Sequence, residues 1–287
     1  MEKGKDGLYY LEPLVEIIET VFFTAAVRDE IPISVILVGP SGAAKSKLLR
    51  SYRAKMIHQT DSITSSGLWE LVQRDEKGEK RFIVIPDINP TFSRRPATAQ
   101  ATVGNLLTLT GDGTLRIDDG RSEKLCKHEV MGLVTACTPE VYQRHAKQWF
   151  ALGLTRRIIP LHYDYTTATR TRLQNLVREG KIHSTFLASC EIKTPAASRP
   201  IISETLGFTL ETWSTSFATN LGKLKIQGSR NTKWYIRDIL PISPHVTLRT
   251  LAMAHALRRK SARLEQQDIE FIGQFLNFTN PEQPGQL

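Results

Sequence analysis

The chain has 287 residues, of which 40% are hydrophobic and 23% are charged, the ordinary balance of a globular protein. It lacks a run of about eighteen apolar residues and an apolar leader, which argues against a membrane span and a secretory signal and favours a cytoplasmic protein. A net charge of +9 favours a polyanionic partner, either nucleic acid or acidic protein, and three scattered cysteines fit thiols in a reducing compartment.

The N-terminal third predicts a helix, a buried strand, a loop and a second helix. Residues 9–30 carry apolar side chains at helical spacing. Residues 33–39, ISVILVG, form a short β-branched run that ends in Gly-Pro, which is typical of a strand buried on both faces. Residues 45–56 predict a helix. The intervening segment 39–46, GPSGAAKS, is therefore a loop from a buried strand into a helix.

This loop nearly matches the phosphate-binding pattern G-x-x-x-x-G-K-[ST], with Ala44 in place of the second glycine. In such a loop, backbone N–H groups and the start of the next helix surround the phosphates of ATP. Lys45 would reach the β- and γ-phosphates, and Ser46 would bind Mg²⁺. Alanine is small enough for the backbone path. The predicted ATP-binding residues are Gly39, Pro40, Ser41, Gly42, Ala43, Ala44, Lys45 and Ser46.

Three further apolar runs follow the loop. Residues 81–90, 130–139 and 156–165 each have the character of a buried strand. Helical patterns separate them, and two extended arms around an Asp-Asp-Gly turn predict a β-hairpin over 111–130. We therefore predict an α/β fold in which helices cover both faces of a parallel sheet, with a hairpin insertion.

The composition changes after about residue 180. Residues 190–203 contain Pro, Ala and Ser and suggest a connection, whereas residues 243–278 predict two helices. The last nine residues, TNPEQPGQL, are expected to fray. The predicted domains are a helical extension (1–30), an α/β nucleotide-binding core (31–180), a connecting segment (181–235) and a small helical domain (236–287).

The loop also resembles that of a known family. Its form, G-x-x-G-x-A-K-S followed by Leu48 and Leu49, is similar to the Walker A loop of the minichromosome-maintenance (MCM) replicative helicases, which carry alanine at this position. The resemblance extends through short motifs over residues 30–175 and 236–275. It implies an AAA+ ATPase of the group that includes the MoxR and magnesium-chelatase proteins, with ATP and Mg²⁺ as ligands and the C-terminal helices as a lid.

The resemblance assigns roles near the phosphates. Asp87, in FIVIPD, corresponds to the Walker B aspartate that holds Mg²⁺ through its water shell. The family's next residue is a glutamate that polarises water, but here Ile88 and then Asn89 follow, so we expect slow hydrolysis. Thr138, in ACTP, corresponds to the sensor-1 residue, where MCM proteins carry asparagine.

Two motifs imply contacts beyond one site. Thr155-Arg156-Arg157 matches the family's Ser-Arg-Phe, so Arg156 is the candidate finger for a neighbouring subunit's phosphate in a ring, such as a hexamer, or a filament. The alternative is a pair of solvated charges before a strand. His245 stands where the lid helix has its sensor-2 arginine, and Arg249 lies one turn later on the same face.

The predicted hairpin carries cations that suit a nucleic-acid backbone or an ordinary solvated surface. These cations are Arg116, Arg121, Lys124 and Lys127. Three functions compete: an ATP-dependent motor, loader or clamp on DNA; a MoxR-like chaperone that remodels protein; and an ATP-gated scaffold. The basic charge favours nucleic acid. The loop follows only some thirty residues of chain, without the DNA-binding domain that precedes the MCM module, so we expect a partner protein to direct the ring.

Overall fold

The computed structural model describes residues 10–118, 123–151, 157–180, 190–227, 232–236 and 242–287. The helices are α1 (Glu12–Phe23), α2 (Lys45–Ser51), α3 (Ser65–Arg74), α4 (Asn89–Phe92), α5 (Pro96–Asp112), α6 (Pro139–Ala151), α7 (Thr167–Arg178), α8 (Glu204–Gly222), α9 (Ile242–Arg258) and α10 (Gln266–Thr279), with a 3-10 turn at Thr24–Ala26. The strands are β1 (Ser34–Val38), β2 (Tyr52–Arg53), β3 (Ile57–Gln59), β4 (Phe82–Ile85), β5 (Thr114–Asp118), β6 (Glu123–Lys127), β7 (Gly132–Cys137), β8 (Ile158–Asp164), β9 (Cys190–Glu191), β10 (Lys223–Gln227), β11 (Thr232–Ile236) and β12 (Gly285–Gln286).

A six-stranded parallel sheet forms the centre of the fold. Its strand order is β12-β8-β1-β7-β4-β3. β1 lies between β7 and β8, two strands that come more than ninety residues later in the sequence. Val35 of β1 therefore pairs with Val134 on β7 and with Ile159 on β8. The prediction of an α/β protein with a parallel sheet between helices is confirmed.

Both faces of the sheet are buried, which explains the continuous apolar runs. Side chains of β1 alternate between two cores, with Val35 and Leu37 in the first and Ile36 and Val38 in the second. Apolar residues from α1, α2, α8, α9 and α10 complete the first core, and those from α3, α4, α5 and α6 complete the second. The C-terminal helices α9 and α10 therefore share a core with one face of the sheet.

Charged side chains link the helices of the first core. Arg258 of α9 donates to Glu16 of α1 at 2.9 Å. Asp268 of α10 has no exposed surface, and its carboxylate lies 2.7 Å from Nδ1 of His255 and 2.6 Å from the guanidinium of Arg259. The same carboxylate accepts from a backbone N–H at the start of α10 and completes a capping box there.

The C-terminal segment belongs to the sheet, so the prediction that it frays is wrong. Gly285–Gln286 pairs in parallel with Tyr163 and Asp164 of β8. The N–H of Leu287 donates to the carbonyl of Asp164 at 3.0 Å. The segment 181–235, predicted as a connection, contains the 19-residue helix α8.

β5 and β6 form an antiparallel pair whose base is anchored in the second core. Leu115 is fully buried, and His128, just after β6, bonds Asp75 at 3.0 Å. Gly113 has a φ of +68°, and a Cβ there would lie 2.1 Å from the carbonyl oxygen of His128, so the turn into β5 requires glycine. Across the described ranges, no helix combines the length and apolar character needed to cross a membrane.

Candidate functional site

The strand order brings three predicted segments to one edge of the sheet. Because β1, β7 and β4 are parallel neighbours, their carboxyl ends lie side by side. The loop after β1, the residue after β7 and the Pro-Asp pair after β4 line one cleft of about 310 Å³. We call it the phosphate cleft, and its lining residues are 41–47, Pro86, Asp87 and 136–138.

The backbone of the loop has the curvature that the pattern predicts. Gly42 and Ala44 both have positive φ, at +76° and +55°. Alternating backbone handedness of this kind turns successive N–H groups toward one side and makes an anion-binding concavity. Ala44 thus adopts the left-handed conformation that favours glycine, at a cost of about 1 kcal/mol. At the loop's start, a Cβ on Gly39 would lie 2.4 Å from the ring of Tyr163, so glycine is needed there for space.

Lys45 is held inside the loop. Its side chain is buried, and Nζ donates to the carbonyl oxygens of Gly39 at 2.7 Å and Pro40 at 2.6 Å. Burial lowers the pKa of Lys45, while the nearby charges of Asp87 and Glu140 act in the opposite direction. The ammonium group therefore lies against two carbonyl oxygens at the start of the loop, where a phosphate oxygen would be a further acceptor.

Ser46 and Asp87 occupy adjoining positions in the phosphate cleft. The Ser46 hydroxyl donates to the carbonyl of Pro86 at 3.0 Å, which ties the loop to the end of β4. Asp87 is exposed, and its Oδ1 accepts from the N–H of Asn89 at 3.0 Å. A hydroxyl and a carboxylate oxygen are hard ligands of the type that Mg²⁺ prefers, so the residues present fit that ion with water and phosphate as its other ligands.

Thr138 links the phosphate cleft to the start of α6. Its hydroxyl accepts from the N–H of Val141 at 3.4 Å and is hydrogen-bonded to the carboxylate of Glu140. Burial raises the pKa of the neighbouring Cys137 thiol to about 12, so that thiol is neutral. Our sequence interpretation stopped at Thr138 and missed Glu140. The signal was present as an acidic residue directly after the predicted strand run 130–139.

Other predicted site residues do not join the phosphate cleft of this chain. His245 and Arg249 lie together, as predicted, but they line a second cleft of about 580 Å³ with residues 199–204. Their Nδ1 and Nε atoms are buried and have no hydrogen-bond partner among the described residues. Arg156 and Arg121 lie outside the described residues. Arg157 donates to the carbonyl of Leu107 in the C-terminal half of α5.

The predicted hairpin cations are distributed along the β5–β6 pair. Arg116 is opposite Leu125, and Lys124 is opposite Ile117. Lys127 is exposed and pairs with Thr114 at the base of the pair. The pair thus places three of the four predicted cations on two adjacent strands, away from the residues that line the phosphate cleft.

Comparison with protein-family models gives no match, and comparison with curated proteins also gives none. The interpretation of the phosphate cleft therefore rests on its residues and their geometry. The two strongest elements are the buried lysine within a loop of positive-φ residues and the carboxylate that adjoins it across the strand ends.

Position 88 does not face the phosphate cleft. Ile88 is 1% exposed, its N–H donates to the carbonyl of Ala136 at 3.0 Å, and its side chain packs in the second core. The side-chain oxygen of Asn89 accepts from the hydroxyl of Ser93 at 3.1 Å, so it is engaged within α4. Ile88 thus points into the second core, and Asn89 is not among the described residues that line the phosphate cleft. A glutamate introduced at position 88 would therefore enter the second core and would not reach the phosphate cleft to orient water.

We expect Ile88→Glu to destabilise the fold by about 3 kcal/mol or more, because it places a carboxylate among apolar side chains without a partner. Urea denaturation measures the change in the free energy of unfolding. Ile88→Val is the matched control, with an expected loss of about 1 kcal/mol. A stable Ile88→Glu protein that hydrolyses ATP faster than wild type would show that position 88 reaches the phosphates.

Proposed function

We propose that the protein is an AAA+-type ATPase that binds ATP and Mg²⁺ in the phosphate cleft, assembles through copies of itself and acts on nucleic acid. The observation that carries the proposal is the convergence of the loop, Asp87 and Thr138 at one edge of a parallel sheet. Three apolar strands, β1, β4 and β7, and the three polar motifs that follow them produce this convergence together, although they are spread over about a hundred residues of chain. A chance match within a single turn would not.

In this proposal, different residues of the phosphate cleft bind different parts of the nucleotide and its metal ion. Backbone N–H groups of residues 41–46 face the phosphates, and Lys45 neutralises their charge. Ser46 and Asp87 are placed to hold Mg²⁺, which supplies charge neutralisation at the phosphates when bound. A volume of about 310 Å³ lies at the lower end of the range for ligand clefts, roughly 300–1,000 Å³.

Two groups of residues support assembly. Arg156 matches the finger position of the family that the sequence resembles, and in that family this arginine contacts the phosphate of a neighbouring subunit. His245 and Arg249 present unpartnered buried nitrogens in a cleft separate from their own chain's phosphate cleft. Buried polar atoms without partners are costly, and a phosphate from a neighbouring copy would satisfy them. In this proposal α9 and α10 act as the lid over the next copy's nucleotide.

Nucleic acid is the proposed substrate because the chain is basic and the β5–β6 pair carries several of its cations. Phosphate contacts of this kind release counterions, so binding weakens steeply as salt is added. A partner protein would direct the assembly to its site of action.

Three measurements on the wild-type protein test the proposal together. Titration with a fluorescent ATP analogue should show saturable binding that Mg²⁺ strengthens. Sizing at micromolar concentration should show larger particles with ATP than without. DNA binding at stepped salt should give a linear fall of log affinity with log salt, with a slope of several units.

Each measurement has a contrary outcome. Absence of ATP binding would refute the nucleotide site itself. A strict monomer with saturating ATP would refute assembly and the role of Arg156. Salt-independent behaviour together with remodelling of an added protein substrate would favour a chaperone that acts on protein.

A further inference from the structure

The phosphate cleft lacks the glutamate that AAA+ proteins place after the Walker B aspartate. Among the described residues that line it, Asp87 supplies the carboxylate, and that group is already engaged with the N–H of Asn89 and suited to Mg²⁺. Ile88 is buried in the second core and Asn89 bonds Ser93. The group that orients the attacking water must therefore come from another segment at the rim of the cleft.

Glu140 is placed for this role. It lies in the first turn of α6, two residues after Thr138, which lines the cleft. The Thr138 hydroxyl is hydrogen-bonded to the Glu140 carboxylate and is itself held by the N–H of Val141. Because Pro139 fixes the backbone between them, Thr138 and Glu140 form one rigid unit at the end of β7.

The electrostatics of Glu140 favour its ionised form, which is the form that accepts a hydrogen bond from a water molecule. The hydrogen bond from Thr138 lowers the pKa of its carboxyl, as do its own N–H and the charge of Lys45. Glu140 in turn favours the charged form of Lys45 and so raises its pKa, as Asp87 does. Glu140 is exposed, so a water molecule reaches it without rearrangement of the core.

We propose that Glu140 is the catalytic carboxylate that orients the attacking water, in place of a glutamate at position 88. This inference rests on the proposed ATPase function and assigns one step of it. The water oxygen forms a bond to the γ-phosphorus, while the bond from that phosphorus to the β–γ bridging oxygen breaks and leaves its electron pair on ADP. Glu140 accepts the proton of the water and returns it to solvent.

The test compares Glu140→Gln with wild type in two separate assays. Glutamine keeps the size and a hydrogen-bond acceptor but does not accept the proton. We expect ATP affinity to stay within about threefold and steady-state turnover to fall by about 10²–10³. Nucleotide recovered from Glu140→Gln after incubation should be ATP, whereas wild type should carry ADP. Glu70→Gln, an exposed carboxylate paired with Arg74 on α3, is the matched control and should match wild type in both assays.

The two assays separate the possible failures. If Glu140→Gln lowers only the melting temperature and keeps turnover within about threefold of wild type, Glu140 is a helix-stabilising residue and the inference is wrong. If wild type binds ATP but never converts it to ADP, the inference is also wrong, while the nucleotide site stands. If wild type does not bind ATP, both the proposed function and this inference are wrong.

Discussion

Replacing Lys45 with alanine should lower the affinity for ATP by about 100-fold or more. Lys45 Nζ donates to two loop carbonyls within 2.7 Å, and Lys45 lines the phosphate cleft. Exchange of these bonds for charge-assisted bonds to phosphate is worth about 3 kcal/mol in total, which corresponds to a factor of about 100. Titration with a fluorescent ATP analogue measures the effect.

The control for this variant must separate binding from folding. Lys45→Ala also leaves the carbonyls of Gly39 and Pro40 without a donor, so its melting temperature is measured alongside the affinity. Lys55→Ala removes an exposed lysine that pairs with Glu79, and we expect no change in affinity. Wild-type affinity in a folded Lys45→Ala protein would show that this loop does not bind nucleotide.

Replacing Asp268 with alanine should reduce the free energy of unfolding by about 3–5 kcal/mol. The variant leaves His255 and Arg259 without their buried partner, and it removes the side chain that closes the capping box of α10. Chemical denaturation measures the loss. The control is Asp61→Ala, which breaks an exposed pair with Arg50 and should cost less than about 1 kcal/mol.

The pH dependence of stability provides a second measurement on the same pair of residues. Burial acts to lower the pKa of His255, but its hydrogen bonds to Asp268 and Glu16 outweigh burial and raise it. The stabilisation is therefore complete below the unfolded pKa of about 6.5 and is lost as the pH rises through the higher folded value. Burial acts to raise the pKa of Asp268, and hydrogen bonds from His255 and Arg259 outweigh it and lower the pKa.

The contribution of Asp268 to stability has the opposite pH dependence to that of His255. It is fully present above the unfolded aspartate pKa of about 3.9 and is lost as the pH falls through the lower folded value. Wild type should therefore be most stable between about pH 4 and pH 6.5 with respect to this pair. In Asp268→Ala the decline above that window should become shallower. If the free energy of unfolding declined with pH equally steeply in Asp268→Ala and wild type, Asp268 would not be what raises the pKa of His255.

Local patterns were sufficient to predict four of the six strands of the central sheet, and they missed β3 and β12. β1, β4, β7 and β8 all lie within apolar runs, because strands buried on both faces cannot carry polar alternation. The loop, Asp87 and Thr138 could be placed at strand ends for the same reason. Nothing local specified the strand order, which depends on contacts between distant segments.

The features that could not be predicted depend on tertiary packing. α8 contains five threonines, which are poor helix formers, and it is stabilised by burial of Leu210 and Phe217 against neighbouring helices. The sequence of β12 has no strand pattern, and β12 forms because its backbone pairs in parallel with the edge of β8. The side chain of Ile88 points into the core because its N–H bonds the end of β7, a contact that sequence spacing does not reveal.

The central position of β1 has a consequence for synthesis of the chain. β1 pairs with β7 and β8, so its last residue, Val38, meets His162 only after the whole intervening chain has been made. At about 5–20 residues per second, the ribosome needs on the order of 10 s to add that length. During this interval β1 is an apolar strand with two unpaired edges, open to association with other nascent chains. The strand that supports the phosphate loop in the native protein is thus exposed to aggregation while the protein is being made.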